Sequence, residues 1–214
     1  MEISISRAGV EVVDRLEPLW LALHEHHQKV APDAVYQPRG ESWRARRTAY
    51  VEWLAAPGSF VILAESAETG ESPDKAANAE AIGETGAAAE AATAGETGAT
   101  GGAGAVELLG YALVQVRPGP DDTWVTGKLL AELQTLSVAP HARGRGIGSM
   151  LLDRVDAELD AAGIGDLFIA ALHGNDDAIR LYQRRGLRPV AVHLARFAAD
   201  EKRGSEQADE KRRF

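Results

Sequence analysis

Leu136-Ser137-Val138-Ala139-Pro140-His141-Ala142-Arg143-Gly144-Arg145-Gly146-Ile147-Gly148 joins three different local patterns in thirteen residues. A strand-like alternation ends at Val138, glycine then occupies 144, 146 and 148, and a helical pattern begins at once. Glycines let successive backbone N–H groups converge, and a helix N-terminus adds partial positive charge, so a pyrophosphate fits such a turn. Arg143 and Arg145 place formal charge beside it. Two familiar phosphate loops are excluded. No Gly-Lys-Ser/Thr occurs, which removes the Walker A loop. The dinucleotide fingerprint needs G-x-G-x-x-G and an acid closing the next strand; here the spacing is G-x-G-x-G, and Asp166 opens that strand. On its own, the turn also fits a glycine-softened loop with surface arginines.

Working outward, Leu151, Leu152, Val155 and Leu159 line one side of a helix, and Gly163 stands just past its end. A compact apolar strand follows at 166–172, then a short helix at 176–185 stopped by Gly186, then a last strand at 187–197. Upstream, 128–138 reads as a strand, preceded by a turn at 118–122 and strands at 106–117 and 59–64. Val12, Leu16, Leu19, Trp20, Leu23 and His27 form an amphipathic stripe over 11–30, ended by Pro32. Ser42 caps a second helix over 42–56, which Pro57-Gly58 closes. With a short strand at 2–6, the order is that of a mixed α/β domain whose helices cover a sheet.

Between 65 and 105 the composition changes abruptly, with 14 Ala, 8 Gly and 7 Glu among 41 residues and Ile82 the one large apolar side chain. Such a stretch buries too little surface to offset backbone ordering, so a disordered insertion is expected, with a short Ala-rich helix near 87–94 as the alternative. The strands on either side make natural hairpin partners, and long loops close at little cost, about 0.6 kcal/mol per doubling of length. One domain over 1–199 is therefore expected, followed by a charged tail at 200–214. Of the formal charge of −9, −7 lies on the insertion, the tail is neutral, and the rest of the chain carries −2. The 214-residue chain has no cysteine, which removes disulfides, thiolate metal sites and a thiol nucleophile together. No apolar run approaches the roughly 20 residues of a membrane span, and the first ten residues lack a secretory pattern. A cytoplasmic protein with no membrane and no nucleic-acid partner is expected.

A second pattern, Asn175-x-x-Ala178-x-x-x-Tyr182-x-x-x-Gly186, follows the turn. Asn175 as a helix cap, with Ala178, Leu181 and Tyr182 as the buried face, accounts for it structurally. Taken together in this order, the two patterns resemble the GCN5-related N-acetyltransferase (GNAT) superfamily. Its acetyl-CoA motif, Gln/Arg-x-x-Gly-x-Gly/Ala, is matched by Arg143, Gly146 and Gly148, and its Asn…Ala…Tyr…Gly motif by Asn175, Ala178, Tyr182 and Gly186. The resemblance implies a GNAT-like acyl-CoA N-acyltransferase fold, with a mixed, mostly antiparallel sheet splayed between the fourth and fifth strands and helices on both faces. Acetyl-CoA would be the co-substrate. Its pantetheine arm would pair with backbone groups of Leu136, Ser137 and Val138, and its pyrophosphate would sit on Arg143, Gly144, Arg145, Gly146, Ile147 and Gly148. Asn175 and Tyr182 would line the same site. The family commonly ends with two further strands, while only 187–198 remain here before the tail. The terminal strand is therefore single, shortened or supplied by a partner copy, the last of which would make a homodimer.

Acetyl transfer to an amine needs a neutral nucleophile, an oxyanion donor and an acid for the leaving thiolate. Ser137 and His173 are conceivable acyl carriers, but nothing pairs either with a base, so direct attack in a ternary complex is expected. Glu132, read by simple alternation, shares a face with Gln134 and Leu136, and burial there would raise its pKa and suit a general base, an edge or solvent-facing Glu being the alternative. Enzymes of the resembled family place an acid six residues before the strand-ending Val, here Val138. Tyr182 would protonate the thiolate and the Val138 amide would hold the oxyanion. His24, His26 and His27 lack a completing acid, so no metal site is expected. The acceptor, a small-molecule or protein amine, should lie between the first two helices and 128–138, near Trp20, Tyr36, Trp43 and Trp53, for which core packing is the default. A non-catalytic acyl-CoA-binding sensor or scaffold is the alternative function.

Overall fold

The computed structural model describes residues 2–66, 106–119, 123–195 and 197. The expected insertion, apart from Glu65 and Ser66, lies outside these residues, as does the 200–214 tail. Strands β1 (Ile3–Ala8), β2 (Phe60–Ser66), β3 (Leu108–Pro118), β4 (Leu129–Val138) and β5 (Leu167–Ile169) form one sheet in the order β1-β2-β3-β4-β5. The first three pairings are antiparallel and β4–β5 is parallel, giving a mixed, mostly antiparallel sheet. Val61–Ala64 and Leu109–Val114 are buried on both faces, as their near-continuous apolar runs require of central strands.

Helices α1 (Glu17–Val30) and α2 (Arg39–Leu54) cover one face, while α3 (Ile147–Ala161) covers the other and α4 (Asp176–Arg184) packs beside it. At Gly110 the sheet admits α3 closely, since a Cβ there would stand 3.2 Å from Leu151 and 3.4 Å from Ile147, besides 2.9 Å from the Ser137 carbonyl of β4. On the opposite face, Tyr50 of α2 meets Tyr111 and Thr135 through its hydroxyl.

Several expected boundaries move, each for a local reason. The helix expected over 11–30 is split: Val10–Leu16 is a tighter 3₁₀ segment, and α1 starts where Pro18, with no N–H to lose, suits the first turn. Ser42 is not a cap. Helix α2 begins three residues earlier, behind Pro38, and Ser42 lies inside it. There its hydroxyl accepts from Trp20 Nε1 at 3.2 Å and meets His24 Nδ1 at 3.3 Å. Residues 65 and 66 belong to β2 rather than to the insertion. The fifth strand shrinks to three residues, and 187–197 form no strand in the described structure. That segment leaves Val190, Val192 and Leu194 between 52% and 94% exposed, with no ladder to join and Pro189 lacking a donor.

The histidine trio is divided by burial. His24 is buried and its Nε2 donates to the Gln37 carbonyl at 3.1 Å, so the ring is a satisfied core group. Burial, with His26, His24 and Arg46 nearby, pushes His27 down to about 4. A depressed value disfavours the folded state's protonation, so this contribution to stability is present above the unfolded value of about 6.5 and lost as pH falls through 4. Urea unfolding at pH 7 and pH 4.5 should show a loss of stability on acidification that His27→Gln reduces. Equal losses in both proteins would refute the assignment to His27.

Candidate active site

Pairing between β4 and β5 covers three register positions, Ala131↔Leu167, Glu132↔Phe168 and Leu133↔Ile169. Beyond Leu133, β4 runs on to Val138 with β3 on one side and a gap on the other. The Ala139 N–H donates to Leu109 O at 2.8 Å, toward β3. Successive residues of an antiparallel strand aim their peptide groups to alternate sides, so those of Val138 and Leu136 face the gap and that of Ser137 faces β3. Arg143 Nε reaches Val138 O at 3.2 Å from the open side, in agreement. Of the three residues expected along the gap, two thus present peptide groups to it. The Ser137 hydroxyl is 2% exposed as a residue and donates to Leu19 O at 3.0 Å.

At the end of this gap, Pro140–Ala142 makes one 3₁₀ turn and the chain enters α3 through Gly146. Gly146 sits at φ +81 and Gly144 at φ +74, and a Cβ on either would meet nothing within 4 Å. Their glycines answer a backbone requirement rather than a packing one. Met150 is the first helical residue whose N–H finds a carbonyl, that of Gly146 at 3.0 Å. The amides of Ile147, Gly148 and Ser149 therefore have no backbone acceptor among the described residues, at the positive end of a fifteen-residue helix. Arg143 and Arg145 are exposed and pair with no carboxylate among the described residues. Gly148 lets α4 approach, a Cβ there lying 3.6 Å from Leu181. A cluster of free amides and guanidinium groups without a carboxylate partner suits a diphosphate.

Asn175 occupies the N-cap position of α4, yet its side chain makes no capping hydrogen bond, which corrects the capping role expected for it. Leu181 and Tyr182 pack partly buried against the core. Burial pushes the Tyr182 hydroxyl up to about 12, so it stays protonated across the neutral range.

Glu132 requires two corrections. It is not buried, its side chain keeping 32% of its exposure with Arg117 Nε 3.7 Å away. It also does not share the face of Leu136. Pairing with β3 runs Leu136↔Ala112 and Thr135↔Leu113, then jumps to Leu133↔Val114 and Glu132↔Gln115, leaving Gln134 unpaired in a β-bulge. The extra residue reverses the alternation, so Glu132 joins Gln115 and Arg117 on the face that carries Tyr111, Thr135 and α2. Of the aromatics expected near the acceptor, Trp20 and Trp43 are buried in the core and Tyr36 bonds His27 O and Ala31 O at the end of α1. Trp53 is partly buried, with Trp20 and Tyr50 around the Arg46 guanidinium at 4.1–5.7 Å. Tyr50 and Thr135 are central here and carried no sequence signal, since their meeting is tertiary.

Residues 85–187 match the model of the acetyltransferase (GNAT) family. A 62-residue stretch is 40% identical to the mycothiol acetyltransferase of Beutenbergia cavernae; it covers 29% of this chain and only about a fifth (21%) of that protein. Among solved structures, a GCN5-related N-acetyltransferase from Ralstonia eutropha JMP134 aligns over 92% of this chain and 99% of its own, with a TM-score of 0.59 and 17% identity. Aminoglycoside N-acetyltransferase AAC(6′)-Iy, solved with CoA, aligns over 92% and 95%, with a TM-score of 0.53 and 13% identity. At such identities the structural likeness is one of fold. The family match runs through β4, the glycine turn, α3 and α4, the elements that frame the gap, and on that basis residues 85–187 belong to the acetyltransferase (GNAT) family.

Proposed function

We propose that the protein is an acetyl-CoA-dependent N-acetyltransferase, passing an acetyl group to a primary amine of a small molecule or protein with both substrates bound together. The observation that carries this reading is the Val138 peptide group facing the gap, at the foot of a turn rich in free amides. Acetyl-CoA, when bound, supplies an activated thioester. The amides of Ile147 and Gly148, the open backbone at Gly144 and Gly146, and the side chains of Arg143 and Arg145 would hold its diphosphate. Backbone groups of Leu136 and Val138 would pair with the arm, and Ser137 would shape the strand behind them. The Val138 N–H would meet the oxyanion. The Asn175 side-chain amide, which makes no capping bond, would bind the same ligand. Glu132 would take the amine proton, directly or through water, and Tyr182 would support the departing sulfur.

Direct attack is favoured because the chain has no cysteine and the Ser137 hydroxyl is engaged with Leu19. We take 1–199 as one domain with an insertion between Ser66 and Val106, acting in the cytoplasm. The test is thiol release from acetyl-CoA, read with DTNB, against polyamines, amino acids, aminoglycosides and peptides. Acceptor-dependent release is expected for at least one class. Tight CoA binding with no such release would favour the non-catalytic sensor instead.

A further inference from the structure

The bulge that redirects Glu132 is tied down from the α2 side. Thr135 Oγ1 donates to the Gln134 carbonyl at 2.7 Å. With its proton so placed, Thr135 Oγ1 accepts from the Tyr50 hydroxyl at 2.7 Å, and Tyr50 accepts from Tyr111 at 2.8 Å. All three residues are buried, at 0%, 0% and 4% exposure for Tyr50, Tyr111 and Thr135. Burial raises both phenols, Tyr50 to about 12, so the chain keeps its protons and its direction. It ends on the carbonyl of the one β4 residue that β3 leaves unpaired. On the same face, Gln134 Nε2 donates to Gln115 Oε1 at 2.9 Å, so the bulged residue is held at both its backbone and its side chain.

We infer that Thr135 is a positioning residue for Glu132: anchored by Tyr50, its hydroxyl fixes the Gln134 carbonyl and so maintains the bulge that turns the carboxylate onto the α1–α2 face. Without the bulge, regular alternation would carry Glu132 to the α3 face. The catalytic part of this inference rests on the proposal that Glu132 is the base; the register part does not.

Thr135→Val removes the donor with little change in volume. It is expected to lower kcat about tenfold while the acetyl-CoA KM stays within about twofold, as misplacement of a reacting group predicts. Thr135→Ser, which keeps the hydroxyl, should restore most of the rate. In a Glu132→Gln background the same Thr135→Val change should cost less than about twofold, because both act through one carboxylate. A loss as large in that background as in the wild type would overturn the inference. A second readout needs no acceptor. Cross-strand NOEs between Leu133 and Val114 mark the bulged register, and they should vanish in Thr135→Val and persist in Thr135→Ser. Their retention in Thr135→Val would also overturn the inference. Full turnover by Glu132→Gln would sink the base assignment instead, while the NOEs would still decide what Thr135 holds. If Thr135→Val does not fold, Tyr50→Phe, which removes the donor to Thr135 together with the acceptor for Tyr111 and leaves the Thr135 hydroxyl in place, takes the same measurements, with an expected kcat loss of about threefold.

Discussion

Gly146→Glu is expected to weaken acetyl-CoA binding by at least about 100-fold while the protein stays folded. Position 146 is where α3 begins, in the left-handed region at φ +81, with open space around a would-be Cβ. A side chain there therefore meets no steric clash and adds backbone strain of about 1–2 kcal/mol, less than the 5–15 kcal/mol that typically separates folded from unfolded. The carboxylate is what matters. It would satisfy the helix N-terminus from within and face the diphosphate at close range, where two unit charges 4 Å apart at an effective dielectric of 20 repel by about 4 kcal/mol. Gly146→Ala adds the strain without the charge, and its affinity loss should stay below about tenfold. Calorimetric titration with CoA separates the two variants. If Gly146→Glu binds as tightly as the wild type, the diphosphate does not sit on this turn.

Tyr182→Phe is expected to lower kcat about 100-fold with the acetyl-CoA KM little changed, the size typical of losing one preorganised donor. The hydroxyl, pushed up to about 12, is a weaker acid than an ordinary thiol near 8.5, so complete transfer to the leaving thiolate runs uphill by about 5 kcal/mol. Hydrogen-bond donation to the departing sulfur needs no such transfer, and it refines the proton-donor role expected from the motif. The pH dependence follows. A raised value keeps the phenol protonated below about 12, so the wild-type to Phe ratio should be constant from pH 7 to pH 10. A ratio that shrinks toward pH 10 would show an unshifted phenol, and unchanged kcat in Tyr182→Phe would remove the residue from the reaction.

What was legible in the sequence is what short-range chemistry decides. Gly144 and Gly146 stand where φ is positive, Leu151, Leu152, Val155 and Leu159 form the buried stripe of α3, and Gly163 and Gly186 end their helices in the left-handed region. The β2–β3 hairpin was readable across its long interruption because both strands are apolar through their lengths. What failed depended on partners distant in the chain. Nothing in Gln134 itself announces a bulge, because the bulge is a mismatch between β4 and β3, and so the face of Glu132 came out reversed. Residues 187–197 have strand composition, but a strand is a pairing, and β5 pairs with β4 over only three residues. Ser42 has the chemistry of a cap, yet Trp20 and His24 claim its hydroxyl inside the helix.

Ser66 and Glu107 close the β2–β3 hairpin like a clasp, Ser66 N–H donating to Glu107 O at 2.9 Å and Glu107 N–H to Ser66 Oγ at 2.8 Å. The sheet is thus complete on the near side of the clasp, whatever chain departs and returns there. Among the described residues the β2–β3 register and the core close without any residue from between those two, so added length there costs the fold little. The hairpin tip is in effect a graft point, where sequence can be gained, lost or exchanged on a timescale of its own while the frame around the gap is held constant.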